Sequence, residues 1–383
     1  MFEITKSFCD SFLDYGVPGF DLAVYQNGAC ILRHKNGFSD VENQIPVQGN
    51  ERYYIYSCSK PITCTAALQL YEKGLFSLED KLSDYMPEFA KMTVQTGQSI
   101  KRAENPIRIK HLFEMTAGFS YNLWSPQLKK AFAETEGRCP TREVMKYLAE
   151  EPLLFEPGER FEYSLCHDVL AALVEVISGK KFNDYVTENV FLPLGMKDST
   201  YVLDKDGYEA LSEEYQFVEE TKSLINLKKK NEFILGSEYE SGGAGCVSTV
   251  DEYMKFLEGL RTYKVLKKET VELMATDRLT GKQKETFSVD KRRYGYGLGV
   301  RCPNQNGFVS DFGWDGAAGA YLAVDIKNGI SVYLGMHLRN PSVRAIRGKV
   351  YDLICAELYE RNKIPEIFAE IKELGFPDMI WRI

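Results

Sequence analysis

Residues 54–63 read Tyr-Ile-Tyr-Ser-Cys-Ser-Lys-Pro-Ile-Thr, and they bear more directly on the fold and chemistry of the chain than any other stretch. The pattern turns helical at Ser57 and stays so to about Gly74, with Pro61 in the first turn, where a helix needs no backbone donor. The spacing of Ser57 and Lys60 places a hydroxyl and an amine on one helix face. A serine hydroxyl is a weak nucleophile until a neighbouring base takes its proton. The stretch therefore predicts a nucleophile and its base at a helix N-terminus, where backbone N–H groups favour a developing oxyanion.

The Ser-x-x-Lys spacing alone is a weak indication, because it also occurs at two other places in the chain. At Ser178–Lys181 the serine lies near a predicted helix C-terminus, where the helix dipole has the wrong sign. At Ser288–Lys291 it lies in a polar run without a predicted helix. Only Ser57 begins a predicted helix, so we take Ser57 as the candidate nucleophile.

The composition of the 383 residues is that of an ordinary globular protein, with 44% hydrophobic and 27% charged residues. Lysine and arginine total 47 against 55 aspartates and glutamates, and this net charge of −8 argues against nucleic acid as a partner. The nine cysteines form no Cys-x-x-Cys pair, and the four histidines lack the spacing of zinc ligands. We therefore expect reduced thiols, no disulfide framework and no metal.

The N-terminal region lacks the pattern of a signal peptide, because Glu3, Asp10 and Asp14 interrupt it. No window reaches the roughly 20 apolar residues of a membrane helix; the most apolar run, 321–336, carries Asp325 and Lys327. These features predict a soluble, cytoplasmic protein without a membrane partner. The oligomeric state stays open.

Strand patterns lie near both ends of the chain. An Asn-Gly step at Asn27-Gly28 separates two short runs, 20–25 and 29–34, which is typical of a β-hairpin. Toward the other end, three further runs predict strands, the last two joined by another Asn-Gly turn: 294–301, 319–326 and 330–337.

Helical periodicity dominates the middle of the chain. Sheet elements at both ends with helices between them predict an α/β (α+β) fold, an antiparallel sheet flanked by helices. We expect residues 1–62 and 241–383 to form the α/β domain and 63–240 to form a mostly helical inserted domain, with the active site at their junction. The polar stretch 205–233 is predicted to be a surface hairpin or excursion whose charged run is solvated. Helices are predicted over 107–118, 141–151, 164–179, 181–194, 249–262 and 343–361.

The stretch around Ser57 resembles the nucleophile region of the serine β-lactamase and penicillin-binding-protein superfamily, in particular its class C β-lactamase-related members. Four later segments resemble that superfamily in the same order, so that the resemblance covers roughly residues 17–360. It implies a β-lactamase/transpeptidase-like fold and a serine acyl-enzyme mechanism without a cofactor. The four segments are 74–89, 109–118, 241–253 and 294–299.

Tyr163-Ser164-Leu165 stands where β-lactamases have Tyr-x-Asn. The resemblance implies that Tyr163 is the third catalytic residue, which passes protons between the nucleophile and the leaving group. It also implies that Leu165 replaces the asparagine at the substrate site.

Trp314-Asp315-Gly316 stands where β-lactamases have Lys-Thr-Gly, so the cation that helps hold the carboxylate of the drug is absent. Losing one charge-assisted hydrogen bond costs about 1.5–3 kcal/mol, which argues against good penicillin turnover. The resemblance implies that Trp314 lines the acyl pocket and that Gly316 lets substrate approach the strand. It further implies that the N–H groups of Ser57 and Ala317 form the oxyanion hole.

The combination of Tyr-Ser-Leu with Trp-x-Gly resembles the β-lactamase-like carboxylesterases, often called family VIII, and related acyltransferases. By the same resemblance, Arg339 and Asn340 fall where relatives place residues at the mouth of the site, and Asp315 lies with Trp314 among the substrate-binding positions.

We therefore predict a cytoplasmic serine hydrolase that cleaves a small carboxylic ester, with a small-molecule ester or amide as its partner. The alternative in the same chemical class is a β-lactamase, a D-amino-acid peptidase or a penicillin-binding activity, against which Leu165 and Trp314 argue. The alternative of another class is a catalytically silent ligand-binding member, against which Ser57, Lys60 and Tyr163 argue, because a binding module needs no nucleophile and base.

Overall fold

A computed structural model describes residues 1–379, and an eight-stranded antiparallel sheet forms its centre. The two ends of the chain meet inside this sheet, where Leu22 lies opposite Leu334. The predicted antiparallel sheet flanked by helices is confirmed. In spatial order the strands are Tyr294–Tyr296, Arg301–Pro303, Phe312–Asp315, Tyr321–Asp325, Ile330–Met336, Gly19–Gln26, Ala29–Asp40 and Ile45–Pro46.

The hairpin between the strands Gly19–Gln26 and Ala29–Asp40 has the predicted Asn-Gly turn. Asn27 has φ 50° and Gly28 has φ 86°, the left-handed pair that a two-residue turn of this hand requires. The predicted strand 294–301 is wrong in extent, because the chain turns at Gly297 to Gly299 and gives two short paired strands instead of one.

Both faces of the sheet are covered, and each has its own apolar core. On one face, Leu22, Val24 and Leu334 pack against helices from the two ends of the chain, Glu3–Asp10, Lys349–Tyr359 and Ile364–Glu373. On the other face, Tyr333 packs against the helix Val250–Arg261 and the core of the helical region. This second core surrounds the helix that follows Ser57.

The helix Ser59–Glu72, called here the nucleophile helix, is buried along most of its length. It begins two residues later than predicted, because Tyr56–Cys58 form a 3₁₀ turn that runs into it. The predicted helix 107–118 is shorter, since Met115 and Gly118 adopt positive φ and end it. The other helices are Ile109–Phe113, Pro126–Glu134, Thr141–Leu148, Cys166–Ser178, Phe182–Val186, Leu192–Leu194, Lys205–Glu209, Lys268–Met274 and Gly281–Thr286.

The polar stretch 205–233 forms regular structure, in agreement with the predicted surface hairpin. It contains a hairpin of Tyr215–Val218 and Ser223–Asn226, and the first of these strands pairs in parallel with Leu338–Arg339. The stretch is therefore attached to the segment that follows the last long strand of the central sheet. Two further strand pairs are Tyr53–Tyr54 with Val247–Ser248 and Thr93–Thr96 with Ser99–Arg102.

Across residues 1–379, no helix combines the length and the apolarity needed to cross a bilayer. The division into an α/β domain (1–62 and 241–383) and an inserted domain (63–240) stays a prediction. Residues 380–383 of the predicted α/β domain lie outside the described residues.

Candidate active site

The structure brings the three predicted catalytic side chains into hydrogen-bond contact. Lys60 Nζ donates to Ser57 Oγ at 3.2 Å, and the Tyr163 hydroxyl donates to the same oxygen at 2.6 Å. Ser57 comes from the 3₁₀ turn and Lys60 from the first turn of the nucleophile helix, whereas Tyr163 comes from the loop before the helix Cys166–Ser178. A serine oxygen that contacts both an amine and a phenol can pass its proton to either group.

Lys60 is fully buried and is held by backbone as well as side chains. Its Nζ donates to the carbonyl oxygen of Gly243 at 2.7 Å and lies 3.5 Å from the Tyr121 hydroxyl. A Cβ atom on Gly243 would lie 2.6 Å from Asp168 Oδ2 and 3.4 Å from Lys60 Nζ. A glycine is therefore needed where the loop carbonyl approaches the lysine.

Asp168 supports the loop that receives Lys60. Its Oδ1 accepts a hydrogen bond from Ser241 Oγ at 2.7 Å, two residues before Gly243. Burial raises the pKa of the Asp168 carboxyl group, and the hydrogen bond from Ser241 and the charge of Lys60 act in the opposite direction. Sequence reasoning missed both Asp168 and Tyr121, because a single Asp or Tyr within a helical or loop pattern carries no signal of its own.

Tyr163 lies between two aromatic rings. The ring of Tyr121 is parallel to it with centroids 5.4 Å apart, and the indole of Trp314 stacks on the other side at 5.8 Å. Trp314 Nε1–H also donates to the Tyr163 hydroxyl oxygen at 3.3 Å. Trp314 therefore fixes the orientation of Tyr163. The resemblance implies only that Trp314 lines the acyl pocket and does not predict this contact.

The strand that ends at Asp315 touches the turn that carries Ser57. A Cβ atom on Gly316 would lie 2.8 Å from the carbonyl oxygen of Ile55 and 3.5 Å from Cys58 Sγ. Gly316 thus permits the strand to approach the backbone before Ser57, a requirement separate from the predicted approach of substrate. Ala317 follows and lines the same cavity as Ser57. Its role as an oxyanion donor stays a prediction.

A cavity of about 270 Å³ opens beside Ser57. Phe161 and Val289 add apolar surface that the sequence had not indicated. Seven of the predicted site residues line the cavity: Ser57, Tyr163, Trp314, Asp315, Gly316, Ala317 and Asn340.

Leu165 and Arg339 are not among the residues that line this cavity, and their predicted contact with substrate stays a prediction. Leu165 is buried just before the helix Cys166–Ser178, and its N–H donates to the Ser120 carbonyl. The guanidinium of Arg339 lies over the rings of Tyr56 and Phe233, 4.9 and 5.1 Å from their centroids. Arg339 is thus held against Tyr56 and Phe233, and its guanidinium also pairs with Glu232.

Three arginines line the cavity instead: Arg301, Arg344 and Arg347. Asp315 pairs with two of them, lying 3.4 Å from Arg301 Nη1 and 3.1 Å from Arg347 Nη2. Arg344 is exposed, and within residues 1–379 no carboxylate lies within ion-pair distance of it. The cavity therefore carries excess positive charge in a chain whose net charge is −8.

No cluster of three or more His, Cys, Asp or Glu side chains within the described part of the chain is placed to hold a metal ion. His167 lies beside the nucleophile helix, with Nε2 3.6 Å from Cys64 Sγ. Burial lowers the pKa of His167 to about 3, so its ring is neutral at physiological pH.

Comparison with known proteins finds one matching family model and several similar proteins. A family model described as "Beta-lactamase" matches residues 6–354. Protein Rv1367c of Mycobacterium tuberculosis (strain ATCC 25618 / H37Rv) is 28% identical over 371 residues, covering 89% of this chain and 90% of that protein. Esterase EstB of Burkholderia gladioli is 26% identical over 366 residues, covering 86% of this chain and 89% of that esterase.

Among solved structures, EstCE1, described as a hydrolase with promiscuous acyltransferase activity, superposes with a TM-score of 0.75. The two are 22% identical, and the superposition covers 92% of this chain and 97% of that chain. At this identity the likeness concerns the fold: the helices and the antiparallel sheet are arranged in the same way.

Proposed function

Because the chain belongs to the β-lactamase family, we propose that it is a serine hydrolase that cleaves small carboxylic esters through an acyl-enzyme. Its fold is β-lactamase/transpeptidase-like. The observation that carries the proposal is the contact of Ser57 Oγ with both Lys60 Nζ and the Tyr163 hydroxyl. The esterase EstB, similar to this chain over most of its length, supports ester chemistry.

In the proposed reaction, Ser57 Oγ attacks the ester carbonyl carbon while its proton passes to Lys60 Nζ, which acts as the base. The carbonyl oxygen becomes an oxyanion between the N–H groups of Ser57 and Ala317. When the tetrahedral intermediate collapses, the carbon–oxygen bond to the alcohol breaks and the Tyr163 hydroxyl gives its proton to the departing oxygen. Lys60 then returns a proton to Tyr163, which leaves an acyl group on Ser57.

Release of the acyl group repeats these steps with water as the nucleophile. Water gives a proton to the Tyr163 and Lys60 pair as it attacks, and Ser57 Oγ regains a proton as it leaves. An alcohol in place of water would give acyl transfer, an outcome consistent with the promiscuous acyltransferase activity described for EstCE1.

Two features favour a small ester over a β-lactam. Trp314 offers a neutral N–H where β-lactamases have a cation, and that N–H is already donated to Tyr163. The cavity volume of about 270 Å³ also lies at the lower end of the range that is usual for small-molecule sites. Arg344 supplies an exposed cation at another position of the cavity, and this cation favours esters that carry a carboxylate over fully neutral ones. We further propose a cytoplasmic location.

The test is covalent labelling. The purified protein is incubated with a fluorophosphonate and its intact mass is measured for the wild type, Ser57→Ala and Ser178→Ala, the last a serine with the same Ser-x-x-Lys spacing. We expect one adduct on the wild type and on Ser178→Ala and none on Ser57→Ala. An adduct on Ser57→Ala, or a folded wild type that takes up no label, would contradict the proposal. Hydrolysis of nitrocefin faster than that of p-nitrophenyl esters would support the β-lactamase alternative instead.

A further inference from the structure

Tyr56, the residue before the nucleophile, has an unusual backbone conformation. Its φ is 47°, in the left-handed region that bulky side chains rarely adopt, and its side chain is fully buried. A conformation of this kind costs free energy and persists only where the surrounding structure enforces it. The backbone of Tyr56 leads directly into Ser57, so whatever enforces it also sets the direction of the Ser57 hydroxyl and N–H.

The side chain of Tyr56 is held at its far end by Glu214. The Tyr56 hydroxyl donates to Glu214 Oε1 at 2.5 Å, and both groups are buried. The Tyr56 ring is also covered by the guanidinium of Arg339 at 4.9 Å and by the edge of Phe233 at 5.8 Å. The hydrogen bond of the hydroxyl holds the orientation of the side chain at its far end.

Glu214 is itself fixed by the sheet pairing of the polar stretch 205–233. It precedes the strand Tyr215–Val218, in which the Tyr215 N–H donates to the His337 carbonyl at 3.0 Å, and its own carbonyl accepts from the Leu227 N–H at 2.7 Å. The backbone that carries the Glu214 carboxyl group is thus fixed by hydrogen bonds on both sides.

The carboxyl group of Glu214 has few polar contacts besides the hydroxyl of Tyr56. Within the described residues its Oε2 has no hydrogen-bond partner, and the nearest ring nitrogen, His337 Nε2, lies 3.9 Å away and is also unpartnered. Burial raises the pKa of Glu214 to about 7 and lowers that of His337 to about 4, with Arg339 and Glu232 as the other charged groups that act on Glu214. Burying a carboxyl group in this way costs stability, and the neutral ring of His337 does not offset this cost with an ion pair.

We propose that Glu214 is a positioning residue for Ser57, acting through the Tyr56 hydroxyl to hold the strained backbone that orients the nucleophile. This inference rests on the proposed function, because it assigns Glu214 a part in the reactivity of Ser57. Glu214 touches neither substrate nor the reacting atoms.

The test measures the fluorophosphonate labelling rate of Ser57 against probe concentration, by intact mass. Tyr56→Phe removes the hydroxyl and keeps the ring, Glu214→Leu removes the acceptor, and Glu214→Gln keeps an acceptor oxygen. Tyr54→Phe, two residues earlier and also buried, is the matched control. Melting temperatures are measured for all variants.

We expect the maximal labelling rate to fall about ten- to a hundredfold in Tyr56→Phe and Glu214→Leu, the factor that goes with one charge-assisted hydrogen bond. The probe concentration for half-maximal rate stays as in the wild type. Glu214→Gln recovers most of the rate, and Tyr54→Phe is labelled like the wild type.

Wild-type labelling rates in a folded Tyr56→Phe or Glu214→Leu would overturn the inference, as would a change confined to the half-maximal concentration. If Tyr56→Phe does not fold, Glu214→Leu against Glu214→Gln decides the question, since both keep the tyrosine. A wild type that takes up no label contradicts the proposed function, and this inference falls with it. Normal labelling of every variant contradicts the positioning role alone.

Discussion

The indole Nε1–H of Trp314 donates to the hydroxyl oxygen of Tyr163 at 3.3 Å, and Tyr163 in turn donates to Ser57 Oγ at 2.6 Å. The two bonds form a chain in which a neutral donor stabilises negative charge that develops on the phenol oxygen. A tryptophan can therefore support proton transfer at the place where β-lactamases use a lysine, without attracting a carboxylate.

Trp314→Phe keeps an aromatic ring against Tyr163 but removes the N–H donor. We expect kcat for a p-nitrophenyl ester to fall about two- to tenfold, the factor that corresponds to one neutral hydrogen bond. Steady-state kinetics measure this, with Trp124→Phe, a 69% exposed tryptophan, as the control. An unchanged kcat in Trp314→Phe would show that the indole serves the acyl pocket only.

Lys60→Met replaces the buried amine by an apolar chain of similar length. Removal of a general base lowers acylation by about a hundred- to ten-thousandfold, and we expect a loss in this range with a melting temperature close to that of the wild type. The control is Lys181→Met, the lysine of another Ser-x-x-Lys sequence, which should have full activity. Residual activity near the wild-type level in Lys60→Met would assign the base to another group.

Arg344→Ala removes the cavity cation that has no carboxylate partner among the described residues. We expect KM for p-nitrophenyl hemisuccinate to rise about two- to fivefold, as for an exposed charge pair, and KM for p-nitrophenyl butyrate to stay the same. Arg292→Ala, whose side chain is 82% exposed, is the control. Equal effects on both esters would argue against an anionic subsite, and added salt should reduce the difference.

Glu214→Gln changes how stability depends on pH. The pKa of Glu214 is raised by burial from 4.5 to about 7, so the stability that its proton provides is present below the lower value and is lost as pH rises through the higher one. Residue 214 of the variant does not titrate. We therefore expect the difference in free energy of unfolding, variant minus wild type, to increase by up to about 3 kcal/mol from about pH 4 to pH 8. Urea unfolding measures this, with the exposed Glu219→Gln as the control. A constant difference across this range would mean that Glu214 titrates normally.

The local signals in the sequence predicted what is local in the fold. The Asn27-Gly28 turn and the Ser57–Lys60 pair depend on residues close in the chain, and both have the expected geometry. The prediction of one strand over 294–301 was wrong because the glycines in it permit a turn as readily as an extended chain.

What the sequence could not indicate depends on contacts between distant residues. Glu214 lies in a polar stretch whose composition predicts exposure to solvent. It is buried because the following strand pairs with Leu338–Arg339. Arg339 and Arg344 are close to each other in the sequence, yet of these two only Arg344 lines the cavity. The backbone between them turns at Asn340, whose φ is positive. Neither fact has a signature in a single sequence.

The parts of the site become available at different times during synthesis of the chain. Ser57, Lys60 and Tyr163 leave the ribosome well before Trp314, and the backbone N–H of Thr5 donates to the carboxylate of Glu357, 352 residues later in the chain. Because pairings at such separation form slowly, a nascent chain carries its nucleophile long before it carries the groups that aim and activate it. We therefore expect a chain that has not yet added its last strands to lack the group that orients Tyr163, although it already carries Ser57 and Lys60.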